Sequence, residues 1–250
     1  MKRFLNYGAA LGCVSAVFVA SCAHDDSTLF VLSVQAPPTG GAGQAGCLYK
    51  PDPAQPTLVS GTIDVEFLAA YRPFVLVGNQ MIQQGRSEAF RTETSRITLQ
   101  GATVTVEDAE GNQRASFTTL AAGFVNPSAG TVPGYGLVSV TLINPALVEK
   151  LREEIPIGET KRLLARFKVF GQTLGGQSIE SNESQFPINA CKGCLVDFPP
   201  EADDVTTPQV DCRVTGEATA IPQPCVKGQD ELIDCRLCNT LDICDPNKRR

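Results

Sequence analysis

Histidine and tryptophan are the residues that this 250-residue chain most nearly lacks: it has one histidine and no tryptophan. The single histidine, His24, lies too near the N-terminus to enter a folded cleft. This excludes hydrolases that use a Ser-His-Asp or Cys-His arrangement, and it excludes histidine-ligated metal centres. With four tyrosines and no tryptophan, the chain offers few of the aromatic side chains that dominate sugar-stacking platforms and binding hot spots. We therefore predict no catalytic residue, no metal site and no cofactor.

Basic patches and long apolar runs are also scarce. The formal net charge is −6, and the one basic cluster is Lys248, Arg249 and Arg250 at the C-terminal end. Such a charge repels phosphate backbones, so we predict no nucleic-acid partner. The N-terminal apolar run, residues 9–20, is shorter than the ~20 residues that a bilayer-spanning helix needs. We therefore predict no transmembrane helix in the mature chain.

The N-terminus does contain the pattern of an export signal. Lys2 and Arg3 precede the apolar run, which closes in Val19-Ala20-Ser21-Cys22. This segment resembles the lipobox of Gram-negative bacterial lipoproteins, in which a branched apolar residue and two small residues precede an invariant cysteine. The resemblance covers only this segment of the chain.

The resemblance implies where the mature protein begins and where it resides. Residues 1–21 would be a lipoprotein signal peptide, Cys22 the lipid-attachment site, and residues 22–27 a lipidated tether. Several acyl chains, each contributing ~0.8 kcal/mol per buried methylene, would anchor the protein durably. Ala23, standing where aspartate would favour inner-membrane retention, implies the outer membrane. An ordinary secretory signal is the alternative.

Eight cysteines follow Cys22, and their even number in an exported chain predicts a disulfide framework whose connectivity is open. They are Cys47, Cys191, Cys194, Cys212, Cys225, Cys235, Cys238 and Cys244. We predict that Cys47, near the start of the folded part, pairs with Cys191 or Cys194 at its end.

Residues 28–190 carry the pattern of a β-domain. Ile63, Val65 and Phe67 alternate with Thr62, Asp64 and Glu66, which predicts a strand with its polar set facing solvent. Residues 74–77 are continuously apolar and predict a strand in the middle of a sheet. Residues 165–169 alternate in the same manner. Further strands of this kind, separated by turn residues, predict an all-β fold.

Two local signals interrupt the strands. The inward-facing positions change parity near Gly101, which predicts a β-bulge there. Asn144 followed by Pro145 predicts an N-cap and first turn, and Leu147, Val148 and Leu151 then fall on one helical face, so we expect one short helix over residues 145–154.

The predicted architecture is an antiparallel β-sandwich with one short helix. It resembles immunoglobulin-like and fibronectin-like modules in its order of elements, and this resemblance carries no activity. Residues 191–250 form a cysteine-rich, acidic, irregular extension, which has too little apolar material to fold without cross-links.

Two C-x-x-C pairs, Cys191 with Cys194 and Cys235 with Cys238, leave alternatives open. Structural disulfides are the expectation. Their spacing also suits the thiolate ligands of a zinc site, or a redox-active dithiol with its reactive thiol at Cys191 or Cys235.

The acidic pairs Glu153-Glu154 and Asp203-Asp204 are expected to be solvated charge. The second pair, together with Glu201, is an alternative calcium site.

The expected function is that of a non-catalytic outer-membrane lipoprotein, not an enzyme, which contacts another envelope or surface protein. A surface adhesion module for carbohydrate or calcium is the first alternative. A thiol-disulfide oxidoreductase is the second.

Overall fold

A computed structural model describes residues 28–38, 46–85, 92–202, 211–212, 221 and 223–245. The predicted signal peptide, the tether and Cys22 lie outside these residues, as do Asp203 and Asp204. No helix among the described residues is both long and apolar enough to cross a membrane.

The described part of the chain is mostly β-structure with one α-helix, which confirms the predicted secondary-structure class. The strands are β1 Leu29–Gln35, β2 Thr57–Leu58, β3 Gly61–Asp64, β4 Phe74–Asn79, β5 Ile97–Asp108, β6 Gln113–Val125, β7 Gly134–Ser139, β8 Thr160–Thr173, β9 Ser178–Glu180, β10 Ser184–Cys191, β11 Val196–Asp197 and β12 Ile233–Asp234. The helix, α1, spans Pro145–Glu154 between β7 and β8.

Two larger sheets carry most of the strands. The first has the order β2-β1-β4-β7 and is antiparallel throughout. The second has the order β3-β10-β8-β5-β6, with β9 also paired to β8. In this second sheet β3 and β10 run parallel, so the expectation of purely antiparallel strands is wrong at this edge. More than 100 residues separate the two strands in the chain, which is ample for the crossover that a parallel pair requires.

One hydrophobic core takes side chains from both sheets. Residues 75–77 of β4 are buried, as predicted for an inner strand. In β5, Ile97 and Leu99 are buried before the irregularity at Gly101, and Val104 and Val106 are buried after it. The pairing of β5 shifts register on both sides between Leu99 and Gly101, which confirms the predicted bulge. Because a bulge bends its strand, it contributes to the curl of this sheet into a half-barrel.

Helix α1 begins and ends as the sequence predicted. The Asn144 side chain accepts a hydrogen bond from the Leu147 backbone N–H at 2.9 Å, and Pro145 occupies the first turn. Leu147, Val148 and Leu151 are buried in the common core.

The C-terminal region has a second, smaller core, in which short elements surround buried cysteines. It contains Leu195, Val196, Ala202, Cys212, Ile233, Cys235, Cys238, Ile243 and Cys244. Disulfides cross-link this region, as predicted. They supply the stability that so small an apolar cluster cannot give by itself.

The predicted bridge from Cys47 to Cys191 or Cys194 is wrong. Cys47 instead bonds to Cys225, and Cys191 bonds to Cys194. The reason lies in the path of the chain just before β12: residues 225–230 return to β3, where the Asp230 N–H donates to the Thr62 carbonyl at 3.0 Å. This return brings Cys225, rather than the end of β10, next to Cys47.

Candidate functional site

The end of the β3–β10 pair holds a C-x-x-C turn above a buried carboxylate. Cys191 is the last residue of β10 and lies opposite Asp64, the last residue of β3. The turn then runs through Lys192 and Gly193 to Cys194. Gly193 has a φ of 81°, in the left-handed region that glycine adopts without strain. The local chain thus closes the Cys191–Cys194 disulfide directly over the Asp64 side chain.

Asp64 is held by the backbone of this turn. Its Oδ1 accepts hydrogen bonds from the N–H of Gly193 at 3.0 Å and of Glu66 at 3.2 Å, and its Oδ2 accepts one from the N–H of Leu195 at 3.4 Å. Burial raises the pKa of Asp64, and the three N–H donors oppose that rise. A carboxylate oxygen and the sulfur atoms of Cys191 and Cys194 all lie within 4.8 Å of one another.

The two sulfurs of this bridge have different surroundings. Cys191 is completely buried, whereas Cys194 is exposed at the surface. Lys192, between them, donates from Nζ to the Arg152 carbonyl at 3.2 Å, and its Nζ lies 4.0 Å from a Glu66 carboxylate oxygen. These contacts hold the Lys192 side chain against the protein surface, while Cys194 faces solvent.

The second C-x-x-C pair is arranged otherwise. Cys235 bonds to Cys212 and Cys238 bonds to Cys244, and all four are buried. Because every sulfur of both C-x-x-C pairs is engaged in a disulfide, the zinc alternative does not fit the structure. The alternative of a reactive thiol at Cys235 is also wrong, since that sulfur is buried and bonded to a cysteine outside its own pair.

Asp64 is a residue that the sequence pattern misassigned. The alternation over residues 62–67 placed it on a solvent-facing polar side, yet it is fully buried. The strand ends at Asp64, so Val65 follows it into the interior and the alternation stops there. The alternation does not distinguish Asp64 from Thr62 and Glu66, so the sequence offered no signal for its burial.

A second carboxylate, Asp230, is partly buried and lies near the start of the same edge strand. Tyr71 donates its hydroxyl to Asp230 at 2.8 Å, and the Thr62 N–H donates to Asp230 at 2.7 Å. Burial of Asp230 raises its pKa to about 6. Burial of the Tyr71 hydroxyl and the nearby Asp230 charge raise the pKa of Tyr71. Burial, followed by the charges of Glu231 and Asp230, raises the pKa of Tyr49 to about 12. This cluster fastens residues 225–231 to β3.

No protein-family model, curated protein or solved structure matches this chain. Its own chemistry and geometry are therefore what indicate its function.

The edge of the six-stranded sheet formed by β6 is a second candidate surface, up to residues 123–125, where this strand packs against β7. β6 is the last strand in the order, and β5 is its hydrogen-bonded neighbour among the described strands. The chain carries no charged residue from 115 to 148, a stretch that begins in β6. Leu120, in the middle of β6, is 90% exposed. Long, uncharged strand edges are templates for pairing with another chain.

The charged groove on the outer face of the same sheet differs from this edge. It encloses about 500 Å³ and includes Arg166, Lys168, Glu180 and Glu183. Arg166 pairs with Glu183 at 3.2 Å and Lys168 pairs with Glu180 at 3.6 Å. Since these charges neutralise each other, the groove has no excess of one sign with which to select a ligand.

The acidic residues considered in the sequence are accounted for in part. Glu154, at the end of α1, accepts hydrogen bonds from Arg114 and Lys161, each at 2.7 Å. These donors lower the pKa of Glu154 to about 2. Glu153 is exposed. The pair therefore has the surroundings of surface ion pairs rather than of two carboxylates facing a common substrate.

Proposed function

We propose that this protein is a lipid-anchored, non-catalytic lipoprotein of the outer membrane that binds another envelope or surface protein. The lipobox-like segment ending in Cys22 supports the anchor. The four disulfides support an oxidising compartment, because such bonds persist outside the cytosol. They use eight of the ten cysteines and leave Cys22 for lipid.

The body of the protein serves as a rigid carrier. Its two sheets share one buried core, which favours a sandwich arrangement similar to that of immunoglobulin-like and fibronectin-like modules. In this arrangement the lipid at Cys22 would be six residues before the first described residue, Thr28. The carrier would therefore be held close to the membrane surface.

The observation that carries the interaction role is the edge of β6 over residues 115–120, before the strand bulges and its end at residues 123–125 packs against β7. These six residues contain no charge and no proline. Natural proteins block such edges with lysine, proline, bulges or a covering element, because an open edge recruits other strands. In a chain with net charge −6, an uncharged open edge is a surface kept for a partner.

The partner that fits this edge is an extended segment of another envelope protein. It would add to β6 as a further strand, using backbone hydrogen bonds for affinity and contacts with Leu120 for specificity. A second copy of this chain is the competing occupant, and the experiment below distinguishes the two.

Replacing the lipid-attachment residue tests the anchor. In Cys22→Ala, the folded domain should remain intact because all eight bridging cysteines are retained. The variant should move from the membrane fraction to the soluble fraction, whereas the wild type should carry added acyl mass on residue 22. Membrane retention of the variant, or a wild-type N-terminus without acyl mass, would contradict the anchor.

A lysine on the edge strand tests the binding surface. Thr118 on β6 and Thr103 on β5 are directly opposed, and both are exposed. A photo-cross-linking residue at the exposed position Ser116 reports what lies along β6 in intact envelopes. We expect Thr118→Lys to abolish its cross-links and the matched control Thr103→Lys to preserve them.

The cross-linked peptides identify the occupant. Peptides from one extended segment of another protein support the proposal. Cross-links to a second copy of this chain would show that this edge forms a homodimer and does not bind a partner protein. Cross-links that persist in Thr118→Lys, or that vanish equally in Thr103→Lys, would show that the β6 edge is not the binding surface.

A further inference from the structure

The Cys191–Cys194 bridge has a combination of features that the other three disulfides lack among the described residues. It closes over three residues of chain, it joins a fully buried cysteine to an exposed one, and a buried carboxylate lies within 4.8 Å of both sulfurs. Two of the remaining bridges are buried on both sides. The fourth, Cys47–Cys225, is accessible but links residues 178 positions apart.

We propose that Cys191 and Cys194 form a redox-active disulfide that exchanges with the thiols of a dithiol protein, and that Asp64 transfers the proton of the buried Cys191 sulfur. This activity would replace the non-catalytic part of the function proposed above, and it does not depend on binding at the β6 edge.

The exposed residue defines where exchange begins. A thiolate of the dithiol attacks Sγ of Cys194, forming a new S–S bond to that sulfur. The Cys191–Cys194 bond breaks, and its electron pair leaves on Cys191. The second thiolate of the dithiol then attacks the first sulfur of the dithiol, which is bonded to Cys194 in the mixed disulfide. Cys194 is released as a thiolate and is protonated by water. Two electrons pass from the dithiol to this protein, and the dithiol becomes a disulfide.

The buried sulfur requires a proton donor. Cys191 is completely buried, and an unpaired thiolate there would lack solvation. Asp64 is the adjacent carboxyl group, and burial raises its pKa, so that it carries a proton more readily than an exposed aspartate. As the proton passes to Cys191, the new Asp64 carboxylate retains the N–H donors of Gly193 and Leu195.

Reduction of this bridge leaves the surrounding structure in place. Cys191 belongs to β10, which pairs with β8 on one side and β3 on the other. In the turn that follows, the Gly193 N–H still donates to Asp64 and the Lys192 Nζ still donates to the Arg152 carbonyl. The three other disulfides still hold the C-terminal region, so exchange can occur in the folded protein.

The experiment uses glutathione as the thiol probe on the folded, mature protein. Free thiols are alkylated at intervals, and peptide mass spectrometry gives the reduction rate of each disulfide. We expect Cys191–Cys194 to be reduced well before the two buried bridges. In Cys191→Ser, glutathione disulfide should leave a stable mixed disulfide on Cys194, because the resolving thiol is gone.

Asp64→Asn tests the proton transfer, and Asp197→Asn, the same change at an exposed carboxylate three residues after Cys194, is the matched control. Loss of the general acid should slow reduction of Cys191–Cys194 by on the order of 100-fold. It should also remove the acidic limb of the pH–rate profile. Asp197→Asn removes an exposed charge that is not among those acting on Asp64 and should change neither. The accessible Cys47–Cys225 bridge, measured in the same samples, should keep its wild-type rate in both variants and so reports any loosening of the fold.

Two results would overturn the proposal. One is reduction of Cys191–Cys194 no faster than that of Cys212–Cys235 in the wild type, a measurement that needs no variant. The other is an Asp64→Asn protein with the wild-type rate and pH profile. If Asp64→Asn accelerates Cys47–Cys225 as well, the change is structural and the wild-type rates and the Cys194 mixed disulfide decide the matter.

Discussion

At the scale of single residues, one buried and one partly buried carboxylate organise the edge strand β3 in different ways. Asp64 at its end accepts only backbone N–H donors and lies next to the Cys191–Cys194 bridge. Asp230 joins the strand from the C-terminal region and is held by a tyrosine hydroxyl and a backbone N–H. Asp64 therefore has the surroundings of a proton-transfer group, whereas Asp230 attaches the C-terminal region to β3.

Asp230 should make stability depend on pH between 5 and 7. Its pKa is raised from 3.8 to about 6 in the folded state, so folding favours the protonated form. The stability gained from protonation is complete below about pH 4 and is lost as the pH rises through 6. Denaturant unfolding should therefore give a larger free energy of unfolding at pH 5 than at pH 7, with a smaller difference in Asp230→Asn.

Asparagine is a suitable replacement because Asp230 has a φ of 61°, a conformation that asparagine tolerates better than most residues. Glu154, whose pKa is lowered to about 2, does not titrate in this window. An equal pH dependence in the wild type and Asp230→Asn would contradict the assignment of the effect to Asp230.

At the scale of secondary-structure elements, local sequence signals predicted the helix and the β-bulge, because both depend on neighbouring residues. The helix follows from Asn144, Pro145 and three apolar residues on one face, and all of these contacts lie within a few residues of each other. The bulge at Gly101 follows from a change of parity within β5 itself. By contrast, the pattern over residues 62–67 predicted too long a strand. β3 ends at Asp64 because the chain turns there, and the Asp64 carbonyl accepts hydrogen bonds from the N–H of Phe67 and Leu68. The Asp64 side chain is buried because the turn after β10, distant in sequence, supplies its hydrogen-bond donors.

At the scale of the whole molecule, one bridge ties the beginning of the described fold to its end. Cys47 and Cys225 are 178 residues apart, and Cys225 lies in the segment that Asp230 fastens to β3. In the chain-entropy description, a disulfide stabilises the folded state by restricting the unfolded chain, and a longer loop is restricted more.

Removing this bridge should cost more than removing a short one. The double variant Cys47→Ser with Cys225→Ser should lower the free energy of unfolding by about 5 kcal/mol, the loop-entropy value for so long a loop. The matched variant Cys238→Ser with Cys244→Ser opens a bridge between residues six apart and should cost about 2 kcal/mol. Denaturant titrations of both variants and the wild type measure the difference. Equal losses, or a larger loss in the second variant, would contradict the expectation.

The sequence by itself determined the class of secondary structure, the helix, the bulge and the presence of disulfides, because each depends on neighbouring residues or on a count of cysteines. Only the tertiary structure decided that Cys47 meets Cys225, that β3 runs parallel to β10, and that Asp64 is buried and Asp230 partly buried. These features arise where segments more than 100 residues apart come into contact. Local alternation and spacing contain no information about such contacts, since they depend on the path of the whole chain.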